Sequence, residues 1–113
     1  MTYLGQTDLL NKVFDGKSLN TTEAVDKAPI YGAKTVGVAG TAEALSTDTI
    51  EHIVYIKAMT SNTGNLYVGD SAVSSANGFP LAAGEQISLQ TRDLSKIYLD
   101  TDTGGEGVKF IGV

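Results

Sequence analysis

The fold is decided by the stretch HIVYIKAM at residues 52–59. Its apolar side chains recur at every second position, as they do in a β-strand, and Val54, Ile56 and Ala58 share one face. The opposite face carries Tyr55, so we expect both faces of this strand to be at least partly covered by other elements. The stretch therefore predicts a β-strand that packs within the core.

The same period of two returns along the chain in short pieces. The other predicted strands are residues 35–40, 66–69, 86–90, 95–100 and 107–113. Turn-forming Gly, Asn, Asp and Ser residues separate them, and the turn at residues 61–65 predicts a hairpin that joins 52–59 to 66–69. Strands at a spacing of roughly ten residues predict an all-β fold, either an antiparallel, jelly-roll-like β-sandwich or a small barrel.

Residues 1–33 are polar and weakly patterned, in contrast to the alternating residues 34–113. We interpret the first segment as an N-terminal arm or small appended element and the second as the β-sandwich domain. A short helix is predicted within residues 7–16, with its apolar side chains on one face: Leu9, Leu10, Val13 and Phe14. Because so short a helix is marginal in isolation, we expect this face to dock on a partner.

Charge and cysteine content argue against several classes of function. The chain of 113 residues has 13 acidic side chains against 8 basic ones, and no cysteine. Its net charge of −5, without a basic stripe, argues against nucleic acid as a partner, because affinity for phosphates comes from Lys and Arg. No apolar run approaches the roughly 20 residues of a membrane-spanning helix, so we expect no membrane partner. Without cysteine, disulfides and thiolate metal sites are excluded.

The sequence offers no recognisable catalytic constellation, and we expect the protein not to be an enzyme. His52 is the single histidine, and no Gly-x-Ser-x-Gly elbow accompanies it. A lone histidine without cysteines does not make a usual zinc site. The glycine-rich stretches match neither a phosphate-binding loop nor a dinucleotide fingerprint. We therefore expect no cofactor.

A low-affinity calcium site is one interpretation of the acidic segment at residues 100–106. Its carboxylates Asp100, Asp102 and Glu106 alternate along the chain, and alternating carboxylates can converge on a hard cation. The match to a calcium-binding loop is incomplete, since Ile111 stands where a bidentate glutamate belongs. The alternative interpretation is a hairpin turn whose carboxylates are solvated.

Three tyrosines, Tyr55, Tyr67 and Tyr98, fall on predicted strands. On one shared face they would form a platform on which sugars stack, whereas the alternative is ordinary packing with each hydroxyl at the rim. The chain has no tryptophan, the aromatic residue best suited to sugar stacking, so a glycan is the less favoured partner.

Four segments together are similar to a β-domain that recurs in small accessory virion proteins of tailed phages. They are NTGNLYVG (residues 62–69), NGFPLAAGE (77–85), DLSKIYLD (93–100) and GVKFIGV (107–113). With a lead-in at residues 36–45, the resemblance covers most of the chain from there onward. It implies a non-catalytic virion component and carries over no catalytic residue.

The size and acidity of the chain favour one place in such a particle. A compact acidic protein suits many identical copies on an outer shell, away from DNA. We therefore expect a head-decoration (cement) protein that is made in the host cytoplasm, binds the major capsid protein on the outer head surface and stabilises the shell. A tail, baseplate or fibre component is the alternative, and a carbohydrate-binding module is less favoured.

Self-association is also expected, since accessory proteins at the local three-fold axes of a capsid are naturally homotrimers. The apolar segment Phe79, Pro80 and Leu81 is predicted to lie in a loop and to contact a partner. Its alternative role is a loop that caps one end of the sandwich.

Overall fold

The computed structural model describes residues 27–113. Within this range the chain forms eight strands and one short 3-10 helix, Leu94–Lys96. The strands are β1 (Ile30–Thr35), β2 (Glu43–Ala44), β3 (Ile53–Ala58), β4 (Leu66–Gly69), β5 (Phe79–Leu81), β6 (Gln86–Gln90), β7 (Tyr98–Thr101) and β8 (Gly107–Gly112). No helix in the described range is long and apolar enough to cross a membrane.

The strands assemble into two four-stranded antiparallel sheets, in the orders β1-β8-β3-β6 and β2-β7-β4-β5. Each early strand therefore pairs with its counterpart counted from the other end: β1 with β8, β2 with β7, β3 with β6 and β4 with β5. This nested pairing is the topology of a jelly roll, a long hairpin rolled into two sheets. The described strands pack as two layers and do not close into a barrel. The prediction of an antiparallel, jelly-roll-like β-sandwich is confirmed.

The core lies between the two sheets and is built from alternate positions of their strands. On β3, Val54, Ile56 and Ala58 are fully buried, as the alternation of this strand predicts, whereas Tyr55 on the opposite face is exposed. Leu99 of the second sheet joins the same cluster. Removing a side chain of the size of Leu or Ile from water stabilises the fold by about 1.5–3 kcal/mol.

The predicted hairpin between residues 52–59 and 66–69 is wrong. β3 belongs to the first sheet and β4 to the second, so the turn at residues 61–65 carries the chain from one sheet to the other. A turn rich in Ser, Asn and Gly marks a reversal of the chain but does not determine which strand becomes the hydrogen-bonded neighbour. Residues 102–106 likewise join β7 to β8 in the other sheet.

The first sheet begins earlier than the sequence predicts. β1 covers Ile30–Thr35, so the domain boundary expected after residue 33 falls inside a strand, and the predicted strand at residues 35–40 is mostly loop. Gly32 interrupts the alternation of inward and outward side chains along β1, so the sequence pattern does not reveal this strand. A Cβ atom at this position would lie 3.1 Å from the ring of Phe110, which explains why a side chain is absent there.

The segment Phe79–Leu81, predicted to lie in a loop, is the terminal strand β5 of the second sheet. Leu81 is 2 % exposed and belongs to the core, so it is not a surface contact, whereas Phe79 is 55 % exposed. Pro80 is also exposed and lies opposite Tyr67. Proline is tolerated there because a terminal strand has a neighbour on one side only.

Candidate functional site

The three carboxylates of the predicted calcium segment act as hydrogen-bond acceptors within the fold, and we name them the carboxylate cluster (Asp100, Asp102 and Glu106). Glu106 Oε2 accepts from the backbone N–H and the hydroxyl of Thr63, at 2.6 and 2.8 Å, and Glu106 Oε1 accepts from the N–H of Gly64 at 3.1 Å. The hydrogen bond from the Thr63 backbone N–H lowers the pKa of Glu106 below its usual value, and the bond from the Thr63 hydroxyl lowers it further. Glu106 thereby ties the loop after β7 to the loop after β3.

The two aspartates of the carboxylate cluster fasten neighbouring loops in the same way. Asp102 accepts from the N–H of Asn65 at 3.1 Å and from the hydroxyl of Tyr67 at 3.1 Å. Asp100 is 1 % exposed, and its Oδ1 accepts from the N–H groups of Gly40 and Thr101, both at 2.8 Å. Asp100 makes these bonds in the buried interior whereas Asp102 is exposed, so the bonds of Asp100 stabilise the fold more, because a hydrogen bond left unmade costs more away from water.

The carboxylate cluster does not gather as a metal site. Within residues 27–113, no three His, Cys, Asp or Glu side chains come together in a group that could hold a metal ion. The alternative prediction, a hairpin turn with solvated carboxylates, does not hold either, since residues 102–106 join two sheets and Asp100 is buried. Sequence reasoning missed this role because, apart from Thr101, the donors come from residues 40, 63–65 and 67, far away along the chain.

The three tyrosines considered as a sugar platform are not brought together. Tyr67 and Tyr98 lie on strands of the second sheet, whereas Tyr55 lies on β3 of the first. Tyr67 is 9 % exposed and its hydroxyl donates to Asp102. Its burial, and then the bond to Asp102, raises the pKa of Tyr67 above the usual value.

Tyr55 instead belongs to a row of exposed apolar side chains across the first sheet, which we name the outer row (Tyr31, Ile111 and Tyr55). The register places Ile111 of β8 opposite Tyr31 of β1 on one side and opposite Tyr55 of β3 on the other. Residues in register on neighbouring strands point to the same face, so the three side chains form one surface away from the core. Their exposed fractions are 79 %, 47 % and 47 %.

Next to the outer row lie two cations, Lys57 and Lys109, which we name the lysine pair. The two residues are directly opposite on β3 and β8, an unfavourable arrangement for like charges. In the described part of the chain, ion pairs form at Lys27 and Lys34 instead, so the lysine pair has no anionic partner there. The pair lines an open depression of about 400 Å³ together with residues 58–61.

The predicted partner contacts are only in part placed by the structure. Of these residues, Phe79 and Pro80 are exposed, Leu81 is in the core, and Leu9, Leu10, Val13 and Phe14 lie outside the described residues. Sequence reasoning missed the outer row and the lysine pair as surfaces. Alternation along β8 places Ile111 and Lys109 on one face, but their neighbours depend on a strand order that no local pattern reveals.

Comparison of the chain with protein-family models, with curated proteins and with solved structures found no match. The chemistry of the surface is therefore the guide to function. The outer face of the first sheet offers apolar side chains whose removal from water is favourable, beside two cations that favour an anionic neighbour. That combination suits contact with another macromolecule.

Proposed function

We propose that this protein is a head-decoration protein of a tailed phage, a structural component that binds the outer surface of the capsid and stabilises the shell. The observation that carries the proposal is the outer row. Large apolar side chains aligned in register on one exposed face of a sandwich are typical of a protein–protein contact. The partner is the major capsid protein.

Two further observations support a role in the virion. Jelly-roll sandwiches serve in viral capsid domains, and the segments that resemble tailed-phage virion proteins supply β4, β5, β7 and β8 of this jelly roll. The net charge of −5 suits a surface that faces away from packaged DNA. Both observations support the assignment to this class of protein.

The lysine pair gives the proposed contact its positive charge. Lys57 and Lys109 repel each other across two neighbouring strands, so a carboxylate on the capsid placed between them relieves that repulsion and adds attraction. The outer row then supplies the apolar centre of the contact and the lysine pair supplies part of its polar rim.

Co-sedimentation with matured empty heads of the phage tests the proposal. We expect saturable binding of the purified protein, with added density at regular positions on the shell in electron micrographs. Retention by purified tails without binding to heads would overturn the head assignment and identify a tail component instead.

A matched pair of variants tests the surface. We expect the double variant Tyr55→Ser/Ile111→Thr to bind heads at least about tenfold more weakly, because truncating central apolar contacts costs more than about 1 kcal/mol each. Val38→Thr is the control, since Val38 is 63 % exposed but lies in the loop after β1, outside the outer row. Equal binding by both variants would exclude the outer row as the contact.

One observation favours a second candidate function, glycan binding. Tyr31 and Tyr55 share a face and stand two strands apart, a separation of about 10 Å that two sugar rings can span. Lectin domains also use the jelly roll. Titration with cell-surface glycans of the host, followed by tyrosine fluorescence, separates the two candidates: a saturable change lost in Tyr55→Ser supports the glycan, and a flat response excludes it.

A further inference from the structure

The free edge of β6 presents backbone hydrogen-bonding groups without a neighbouring strand among the described residues. Ala58 N donates to Glu85 O at 2.9 Å, so the even-numbered residues of β3 bond toward β6. On the other side of β3, Ile53 and Val113 exchange bonds of 3.2 and 3.1 Å, as strict alternation requires. The backbone groups that point away from β3 therefore belong to three residues, which we name the β6 edge: Gln86, Ser88 and Gln90.

The β6 edge is unlike the other terminal strands of the two sheets. β2 has two residues, β5 has Pro80 at its centre, and β1 carries Lys34, which pairs with Glu43 at 2.9 Å. Short length, proline and charge are the devices by which proteins keep a strand edge from pairing with another chain. β6, with the sequence QISLQ, has five residues and neither proline nor a charged side chain.

The sequence of β6 is nearly the same read in either direction. In an antiparallel pair of two copies with a two-fold axis at Ser88, Gln86 lies opposite Gln90, Ile87 opposite Leu89, and Ser88 opposite its own equivalent. In this register the residues of the β6 edge become the hydrogen-bonded pairs, because their N–H and C=O groups already point outward. The symmetry of the sequence and the alternation of the backbone thus select the same axis.

In place of the homotrimer expected from the sequence, we propose that two copies of this protein pair through β6, antiparallel and two-fold symmetric about Ser88, so that their first sheets become one continuous sheet. Ile87 and Leu89 pack against the core but remain partly exposed, and the pairing sets Ile87 of each copy against Leu89 of the other. β6 is the terminal strand of the first sheet, and the preceding strand β5 is the terminal strand of the second. Phe79 of β5, which is 55 % exposed, therefore lies on the same side of the sandwich as Ile87 and Leu89 of β6. The second copy covers this apolar strip.

The mass in solution tests the pairing on the purified full chain, independently of capsid binding. Light scattering at micromolar concentration is expected to give a dimer for the natural chain and for Thr35→Lys, a control that adds the same charge on β1. Ser88→Lys places two cations opposite each other at the axis, so we expect a monomer. A monomer or a trimer for the natural chain overturns the proposal, as does a stable dimer of Ser88→Lys.

Two measurements then test the register itself. Mixing Ser88→Lys with Ser88→Glu sets opposite charges across the axis, and we expect a 1:1 dimer where neither variant dimerises alone. The chain has no cysteine, so Ser88→Cys adds a single thiol, whose Cα lies about 5.5 Å from its equivalent, within disulfide reach. Rapid oxidation of Ser88→Cys but not of Thr35→Cys is expected; equal rates, or a mixture that stays monomeric, overturn the two-fold register.

Discussion

The carboxylate cluster and the outer face of the first sheet differ in whether their interacting groups find partners within the chain. In the carboxylate cluster, each of Asp100, Asp102 and Glu106 accepts hydrogen bonds from other parts of the same chain. On the outer face, large apolar side chains and two cations have no partner within the described residues. The residues that look most like a ligand site in the sequence are therefore structural, and ordinary strand residues supply the proposed interaction surface.

The largest effect on stability is expected from breaking the carboxylate cluster at its buried member. Asp100→Ala leaves the N–H groups of Gly40 and Thr101 without their acceptor, so the free energy of unfolding should fall by about 2–3 kcal/mol. Urea unfolding measures the loss. Asp100→Asn is the matched control, because it keeps an oxygen acceptor of the same shape and should lose clearly less; equal losses would contradict the hydrogen-bond account.

A pH series sharpens the same side of the comparison. The pKa of Glu106 is lowered in the folded chain, mainly by the Thr63 N–H, so its contribution is complete above the ordinary value of 4.5. Below that pH the unfolded chain takes up the proton first, and the contribution is lost as pH falls through the lowered folded value. We expect the urea midpoint of the natural chain to fall as the pH is lowered through this range. The midpoint of Glu106→Gln should fall less, because this variant has already lost the contribution of the carboxylate at neutral pH. Parallel curves for both proteins would sink this account.

The outer row should show the reverse behaviour. Tyr55→Ser/Ile111→Thr removes side chains that are about half exposed, so the free energy of unfolding should drop by no more than about 1 kcal/mol. Urea unfolding beside Val38→Thr measures this, and the double variant should remain a folded sandwich even where it no longer binds its partner. A loss as large as that of Asp100→Ala would mean that the row supports the fold.

The smallest expected effect is that of calcium. Because the oxygens of the carboxylate cluster accept internal hydrogen bonds and do not converge, calcium at millimolar concentration should leave the thermal midpoint unchanged. Differential scanning calorimetry with magnesium as the control measures the shift. A rise in the midpoint with calcium alone would restore the low-affinity site at Asp100, Asp102 and Glu106.

The sequence predicts the class of fold but not the placement of its surfaces. The alternation of Val54, Ile56 and Ala58 identifies a core strand correctly, and β4 has the bounds expected from its turn-flanked run. The choice of strand neighbours is nonlocal: the hairpin after β3 was mispredicted because a turn does not specify whether the chain stays in its sheet. The outer row needs three strands in the correct order, and its member Tyr31 lies on a strand whose alternation Gly32 conceals.

The nested topology has a consequence for how the protein is made. Among the described strands β1 pairs only with β8, so β1 finds this neighbour only after β2 to β7 have been synthesised. Bringing β1 and β8 together closes a long loop, which costs entropy before any contact forms to offset it. Chains dominated by such distant contacts fold slowly. During that interval the strands are exposed and liable to pair between nascent chains. Completion of the first sheet thus waits for β8, which pairs with both β1 and β3.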